Sequence, residues 1–391
     1  MSHMTDYPNR VQSQGIPEAS KRFALWLFAG VFASRVLTST SAYFGDGPIH
    51  VAAAQNHTYV IQAPGYWLFN RIAGLFPDPE IGISIMNWLF SAGGSAVFYL
   101  AIRKLASENV ARVAAIAYAS IYFAWFSGNI HSTYASQLFF PVAVLLCLLH
   151  YREAYNVNWL IGASAMWALG AGFRPSDGVF FAPAFLFALR NAKWKHILVC
   201  IPVIVAICLA WFVPQRIALA HMADPIEKSG RNHLLSIAGG VVFTGFSSYA
   251  VANVLRYFLP LGLALFPLLP LVLKNRKDIF LWLWILPGTL FFLLVYVSDS
   301  PYLNILVAPF LILAATSVIV SERRKVSLFL VCAALNTIFY LSWRPVVMNN
   351  HRLQTAEYLF EADLGKYTYW CVQHQYQPLV RDLLHLQGYK R

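Results

Sequence analysis

The chain is 391 residues long, 58% hydrophobic and only 12% charged, with a mean hydropathy of +0.55. Soluble domains carry about 25% charged residues, so these figures exclude an ordinary soluble protein and leave a polytopic membrane protein. The net charge of +12 falls to loop lysines and arginines that set topology; no nucleic-acid-binding motif accompanies it, and nucleic acid is not expected as a partner.

Residues 1–22 are polar, and Lys21 and Arg22 precede the first apolar run, 23–43. Further apolar runs fall at 83–102, 113–128, 133–149, 158–173, 178–189, 197–214, 249–273, 279–297, 302–320 and 327–343. They predict an all-α polytopic membrane protein with about eleven transmembrane helices, each of which needs ~20 residues. Every second connection is basic: Arg103, Lys104 and Arg112; Arg152; Arg190, Lys193 and Lys195; Lys274, Arg276 and Lys277; Arg323, Arg324 and Lys325. The positive-inside rule puts these on the cytoplasmic side. The expected organisation is a cytoplasmic segment 1–22, a membrane domain 23–345 and a small outer-face segment 346–391. The membrane is expected to be the plasma (inner) membrane, with the N-terminus cytoplasmic and the site and C-terminus on the outer, periplasmic face.

The other connections carry titratable groups that topology does not require. Loop 44–82 contains Tyr43-Phe44-Gly45-Asp46-Gly47-Pro48-Ile49-His50 around its start and Gln62-Ala63-Pro64-Gly65-Tyr66-Trp67 further on. Pro48 suits the first turn of a helix capped by Asp46 or Gly47, and residues 49–54 read as a short surface helix. A second amphipathic stretch follows from Trp67 to Phe76. Loop 215–248 offers a third, Ile217 to Met222, before Asp224, Glu227, Lys228, Arg231 and His233. Arg174 and Asp177 lie in another outer turn, and His131 in a short one whose role is left open. Such a concentration points to a site at the outer face. Five cysteines without a CxxC spacing indicate neither a zinc site nor a disulfide framework.

The order of these parts resembles the GT-C superfamily of integral-membrane glycosyltransferases, in particular its bacterial branch of protein O-mannosyltransferase-like and aminoarabinose-transferase-like enzymes. The resemblance is carried by Gly45-Asp46 and the helix from Pro48, by Ala63-Pro64-Gly65-Tyr66, by Gly172-Phe173-Arg174-Pro175-Ser176-Asp177, and by Trp211-Phe212-Val213-Pro214 leading into the second large outer loop. It implies transfer of a sugar from a polyprenyl-phosphate donor to a glycan, lipid or protein acceptor. Many relatives have an acidic pair in the first loop, whereas Asp46 stands between glycines. One carboxylate and a neutral His make a poor cage for a divalent cation, so a divalent metal is possible but not favoured, and no other cofactor is expected.

The chemistry agrees with a single acid. A phosphate leaving group is already stable as an anion, so one general base acting on the acceptor hydroxyl suffices, and the anomeric centre inverts. Asp46 is the expected catalytic base, and it also suits a helix cap. His50, Arg174, Asp177, Arg231 and His233 are the expected substrate-binding residues, the arginines because their forks match phosphate oxygens. Each has a plainer reading. His50 is an interfacial histidine, Arg174 pairs with Asp177, and 224–233 is a solvated helix face. Arg35, within the first span, snorkels or pairs inside the fold. The alternative function is a transporter or lipid-linked-glycan flippase, although no pair of matching broken spans is found. A polymerase-like enzyme with a late catalytic loop fits the first loop less well.

Overall fold

The computed structural model describes residues 17–39, 47–60, 65–221, 248–274, 278–294 and 300–360. Among them every regular element is helical: α1 (Glu18–Leu37), α2 (Gly47–Gln55), α3 (Trp67–Ala73), α4 (Pro79–Ile102), α5 (Glu108–Ser120), α6 (Tyr122–Ser127), α7 (Ser136–Ala154), α8 (Val157–Phe173), α9 (Pro175–Leu189), α10 (Trp194–His221), α11 (Ser248–Leu265), α12 (Leu269–Lys274), α13 (Ile279–Leu294), α14 (Asn304–Thr316) and α15 (Glu322–Phe360). The apolar runs fall on these helices. Four stretches, Pro79–Ile102, Thr133–Ala154, Trp194–Ala220 and Glu322–Ser342, are long and apolar enough to cross a membrane. Five shorter apolar helices stand beside them.

Several boundaries differ from the sequence reading. The run 113–128 is two helices broken at Ile121, whose φ of −50° and ψ of 121° leave the helical region. The run 249–273 passes through a 3-10 turn, Phe266–Leu268, where Pro267 removes a backbone donor. Residues 217–221 are not a separate surface helix. They continue α10 past Pro214, since a proline in a long apolar helix costs one hydrogen bond and need not end it. Helix α15 runs across residue 345. The acidic-basic stretch 224–233, with Arg231 and His233, lies outside the described residues, as does Asp46.

Side-chain contacts sort the connections into two groups. At the basic end, Glu108 meets Arg103 at 3.0 Å and Arg112 at 2.8 Å, and Ser20 of α1 reaches the same carboxylate. Lys104 pairs with Glu153, the backbone N–H of Lys193 donates to the Tyr151 hydroxyl, and Asn109 donates to Glu322. The starts or ends of α1, α4, α5, α7, α10 and α15 therefore meet where the alternation of loop charges requires. Among the described residues, the turn after α6, the α8–α9 junction and the start of α14 meet at the other end.

The core fills the space between. Helix α14 is buried from Asn304 to Ala315 except for the half-buried Phe310, as an all-round apolar helix must be. Around it pack Trp284, Phe292 and the stacked pair Phe98–Tyr118, with ring centroids 4.4 Å apart. Helix α10, by contrast, packs mainly on α8 and presents Leu198, Val205, Leu209 and Phe212 outward, a surface suited to lipid. Arg35, 1% exposed, pairs inside the fold: Nε donates to Ser91 Oγ at 2.9 Å and Nη2 to the Ala119 carbonyl at 2.6 Å, with Trp125 beneath it at 4.5 Å.

Helices α4 and α7 touch backbone to backbone. A Cβ on Gly94 would run into the carbonyl of Leu138, and small residues are what permit such approach between membrane helices. Gly94→Ala is expected to destabilise the protein by about 1–3 kcal/mol, the usual cost of overpacking. Thermal unfolding in detergent checks this. Gly30→Ala, inside α1 where a Cβ meets nothing within 4 Å, is the control that should not lower the midpoint.

Candidate active site

The turn between α6 and α7 organises the end opposite the basic loops. Residues 127–133 are all buried, although seven of the eleven residues from 127 to 137 are Ser, Thr, Asn, His or Gln. Buried polar groups must be paired, and these pair outward to almost every neighbour. Asn129 donates to the Thr38 carbonyl after α1 and to the Tyr340 hydroxyl of α15. Asn87 of α4 donates to the Ile130 carbonyl at 2.7 Å, and His131 Nε2 lies 2.9 Å from Ser84 Oγ. Asn304 of α14 donates to Ser127 Oγ at 2.8 Å. Gln137 donates to Asp177 Oδ1 at 2.7 Å.

Arg174 stands against this turn. Local sequence sets its backbone: the residue before a proline is pushed out of the helical region, and Arg174, with φ −147° and ψ 97°, ends α8 and caps α9 together. Its side chain is buried at 4% exposure. Nη1 donates to Thr133 Oγ1 at 2.9 Å, and the guanidinium lies over the rings of Tyr134 at 4.6 Å and Tyr302 at 5.0 Å. Nε sits 3.5 Å from Asp177 Oδ1 without making a hydrogen bond. The expected pairing with Asp177 is thus present, within an aromatic cage that sequence did not suggest. Tyr302 comes from the 3-10 turn Ser300–Leu303, so the connection before α14 also reaches Arg174.

Helices α2 and α3 pack on α4 and α8 beside the same cluster. Helix α2 begins at Gly47, and α3 follows from Trp67. His50, on α2, is 1% exposed and stands edge-on to Tyr66 and Phe69. Its Nδ1 lies 2.7 Å from Asn70 Oδ1, and Asn70 Nδ2 donates to the Tyr59 carbonyl. With Oδ1 accepting, His50 carries its proton on Nδ1. The loop's backbone is strained: His57, Tyr59 and Tyr66 have φ of 55°, 58° and 54°, costing about 1–3 kcal/mol each. Gly65 takes φ +104° beside Gln215 of α10, whose side chain accepts from the Trp67 N–H.

Burial pushes His50 down to about 4; the Asn70 contact opposes this, and the nearby Arg174 and His131 reinforce it. Those influences put His50, His131 and Arg174 in one electrostatic neighbourhood. The sign for stability follows. The folded pKa lies below the unfolded 6.5, so the unfolded chain takes up the proton first on acidification. Stability is fully present above pH 6.5 and falls as pH drops toward 4, by on the order of 3 kcal/mol in all. Thermal midpoints at about pH 7.5 and about pH 5 should therefore differ more in the wild type than in His50→Gln. Equal losses would remove His50 as the cause.

Several members of the cluster were not singled out from sequence: Asn70, Asn87, Thr133, Tyr134, Gln137, Tyr302 and Asn304. The available signal was the density of small polar residues between 127 and 137 in so apolar a chain. Among the described residues, no three His, Cys, Asp or Glu side chains gather as a metal site.

The fold and this cluster define an all-α, polytopic membrane protein with a caged cation near the strained segment that carries α2 and α3. Residues 63–217 match the family model for dolichyl-phosphate-mannose-protein mannosyltransferase. The structure is similar to ArnT from Cupriavidus metallidurans bound to undecaprenyl phosphate, at a TM-score of 0.59 and 15% identity, over 95% of this chain and 74% of that one. It is similar to the apo state of the same protein at a TM-score of 0.57 and 14% identity, over 95% and 76%. Among curated proteins no sequence relative is found. The family model covers part of the chain and the likeness to ArnT shows the fold; both agree with the resemblance to integral-membrane glycosyltransferases read from the sequence.

Proposed function

We propose that this protein transfers a sugar from a polyprenyl-phosphate donor to an acceptor hydroxyl, with inversion, at the outer face of the bacterial inner membrane. The observation that carries the reading is Arg174: a fully buried guanidinium with an unsatisfied Nε–H, bonded to Thr133 and caged by Tyr134 and Tyr302 from two further connections. A buried cation with a free donor suits a phosphate, and a fork of N–H groups suits its oxygens. The similarity to a protein bound to undecaprenyl phosphate supports a lipid-linked donor of this kind.

The roles divide as follows. Asp46, immediately before α2, takes the proton of the attacking hydroxyl. Arg174 holds the departing phosphate. Asp177 and Thr133 fix the guanidinium, and His50, neutral and tied to Asn70, fixes α2 against α3. Arg231 and His233 are proposed as further phosphate contacts from the second outer loop. The C–O bond to phosphate breaks as the new glycosidic bond forms on the opposite face, and the electron pair leaves with the phosphate. Sugar transfer needs no cation in this scheme.

The test is transfer by the reconstituted protein from a panel of polyprenyl-phosphate-linked hexoses and pentoses, with product configuration read by NMR. An inverted product is expected. A retained configuration would sink the single displacement. Scrambling or uptake of the donor without transfer would favour the flippase reading.

A further inference from the structure

The basic end holds a second feature, which does not depend on the donor site. A groove of about 530 Å³ opens between the first turns of α5 and α15, lined by Asn109, Arg112, Val113, Glu322, Arg323 and Val326. Its polarity changes along its length in a way that helix geometry dictates. Residues four apart share a helix face. Asn109 and Glu322 lie at the mouth, bonded to each other at 3.1 Å, and Val113 and Val326 lie one turn further along the same faces. The next residues on those stripes, Ile116 and Leu330, are 36% and 48% exposed, so the apolar track continues outward along both helices.

The charges at the mouth favour an anion. Glu108 is engaged by Arg103, Arg112 and the Tyr99 hydroxyl, and Glu322 accepts from Asn109. Arg323 makes no ion pair among the described residues, and Arg112 stays 40% exposed at its side chain. Two arginines therefore flank the entrance of a slot with apolar walls. We propose that this groove binds an anionic phospholipid, its phosphate between Arg112 and Arg323 and an acyl chain along Val113, Val326, Ile116 and Leu330. Basic pockets between membrane helices recognise such headgroups. The apolar track distinguishes a lipid from a free phosphate, which would gain nothing from it. Both framing helices also lead to the polar end, where Asn336 of α15 accepts from the Tyr122 N–H just beyond α5, at 3.1 Å. An occupant of the groove thus braces two helices that support the site.

The experiment uses full-length, delipidated protein in nanodiscs of phosphatidylcholine alone or with phosphatidylglycerol. Bound lipid is read by native mass spectrometry and stability by thermal unfolding. The wild type should retain phosphatidylglycerol and melt higher in its presence. Affinity should fall on the order of fivefold for each arginine removed, in Arg323→Gln and in Arg112→Gln/Arg323→Gln. Lys195→Gln, a basic residue of a different loop, should change neither reading. Arg323→Gln breaks no ion pair and serves as the variant whose folding is safe. Unchanged phosphatidylglycerol retention in the double variant would overturn the proposal. So would inorganic phosphate reproducing the whole stabilisation in phosphatidylcholine, which would make this a simple anion site.

Discussion

Asp46→Asn is expected to lower turnover with a lipid-linked donor about 10²–10⁴-fold, the usual contribution of a positioned general base, and to leave the fold intact. The choice of asparagine separates the two readings of this residue. Asn and Asp are about equally good helix caps, and α2 begins at the next residue, Gly47. A residue that only caps α2 would thus tolerate the change. A residue that takes a proton would not, because an amide has no basic lone pair in the accessible pH range. Serine tests the same point with a smaller cap: Asp46→Ser should melt close to the wild type and be as inactive as Asp46→Asn. Full activity in either variant would remove Asp46 as the base. Donor binding, measured apart from turnover, should change little, since the proposed base acts on the acceptor.

Arg174→Gln should fail in two separable ways. Removing the cation leaves Asp177 buried beside Gln137 and Ser176, and breaking a buried pair from one side costs about 3–5 kcal/mol. Removing the phosphate contact should cost a further 10²–10³ in turnover, as the loss of one preorganised donor to a developing anion does. The double variant Arg174→Gln/Asp177→Asn separates these effects. It carries no buried charge, so its thermal midpoint should recover most of the loss. Its transfer activity should stay at the level of the single variant. Recovery of activity along with stability would make Arg174 a structural residue. Arg174→Lys should not rescue either property in full, because an ammonium lacks the planar fork that bonds Thr133 while lying over Tyr134 and Tyr302.

Parts of the site were legible before any coordinates, for local reasons. Pro175 dictates the extended backbone at Arg174, and Gly47-Pro48 dictates where α2 starts. The spacing of Arg174 and Asp177 brings the two side chains to 3.5 Å across one helical turn. The His131 turn was not legible. Its partners Ser84, Asn87, Tyr340 and Asn304 are drawn from α4, α15 and α14, and no local rule relates residues so far apart in sequence. The continuation of α10 to His221 was misread for a related reason. Pro214 is a stop signal in water, but in a membrane the backbone groups it frees are met by neighbouring structure.

By itself, the sequence determined what short-range chemistry and the bilayer control. Apolar runs must become helices because lipid offers no partner to an open backbone. Alternating basic loops must collect at one end, and the ion pairs of Glu108 and Glu153 join the connections after α4 and α7 there. The tertiary structure alone decided which of the remaining polar groups meet. A side chain's burial depends on the helices that pack against it, not on its neighbours in the chain. That is why Arg35 became a structural bolt at 1% exposure, while Arg174, at 4%, became a caged cation with a free N–H.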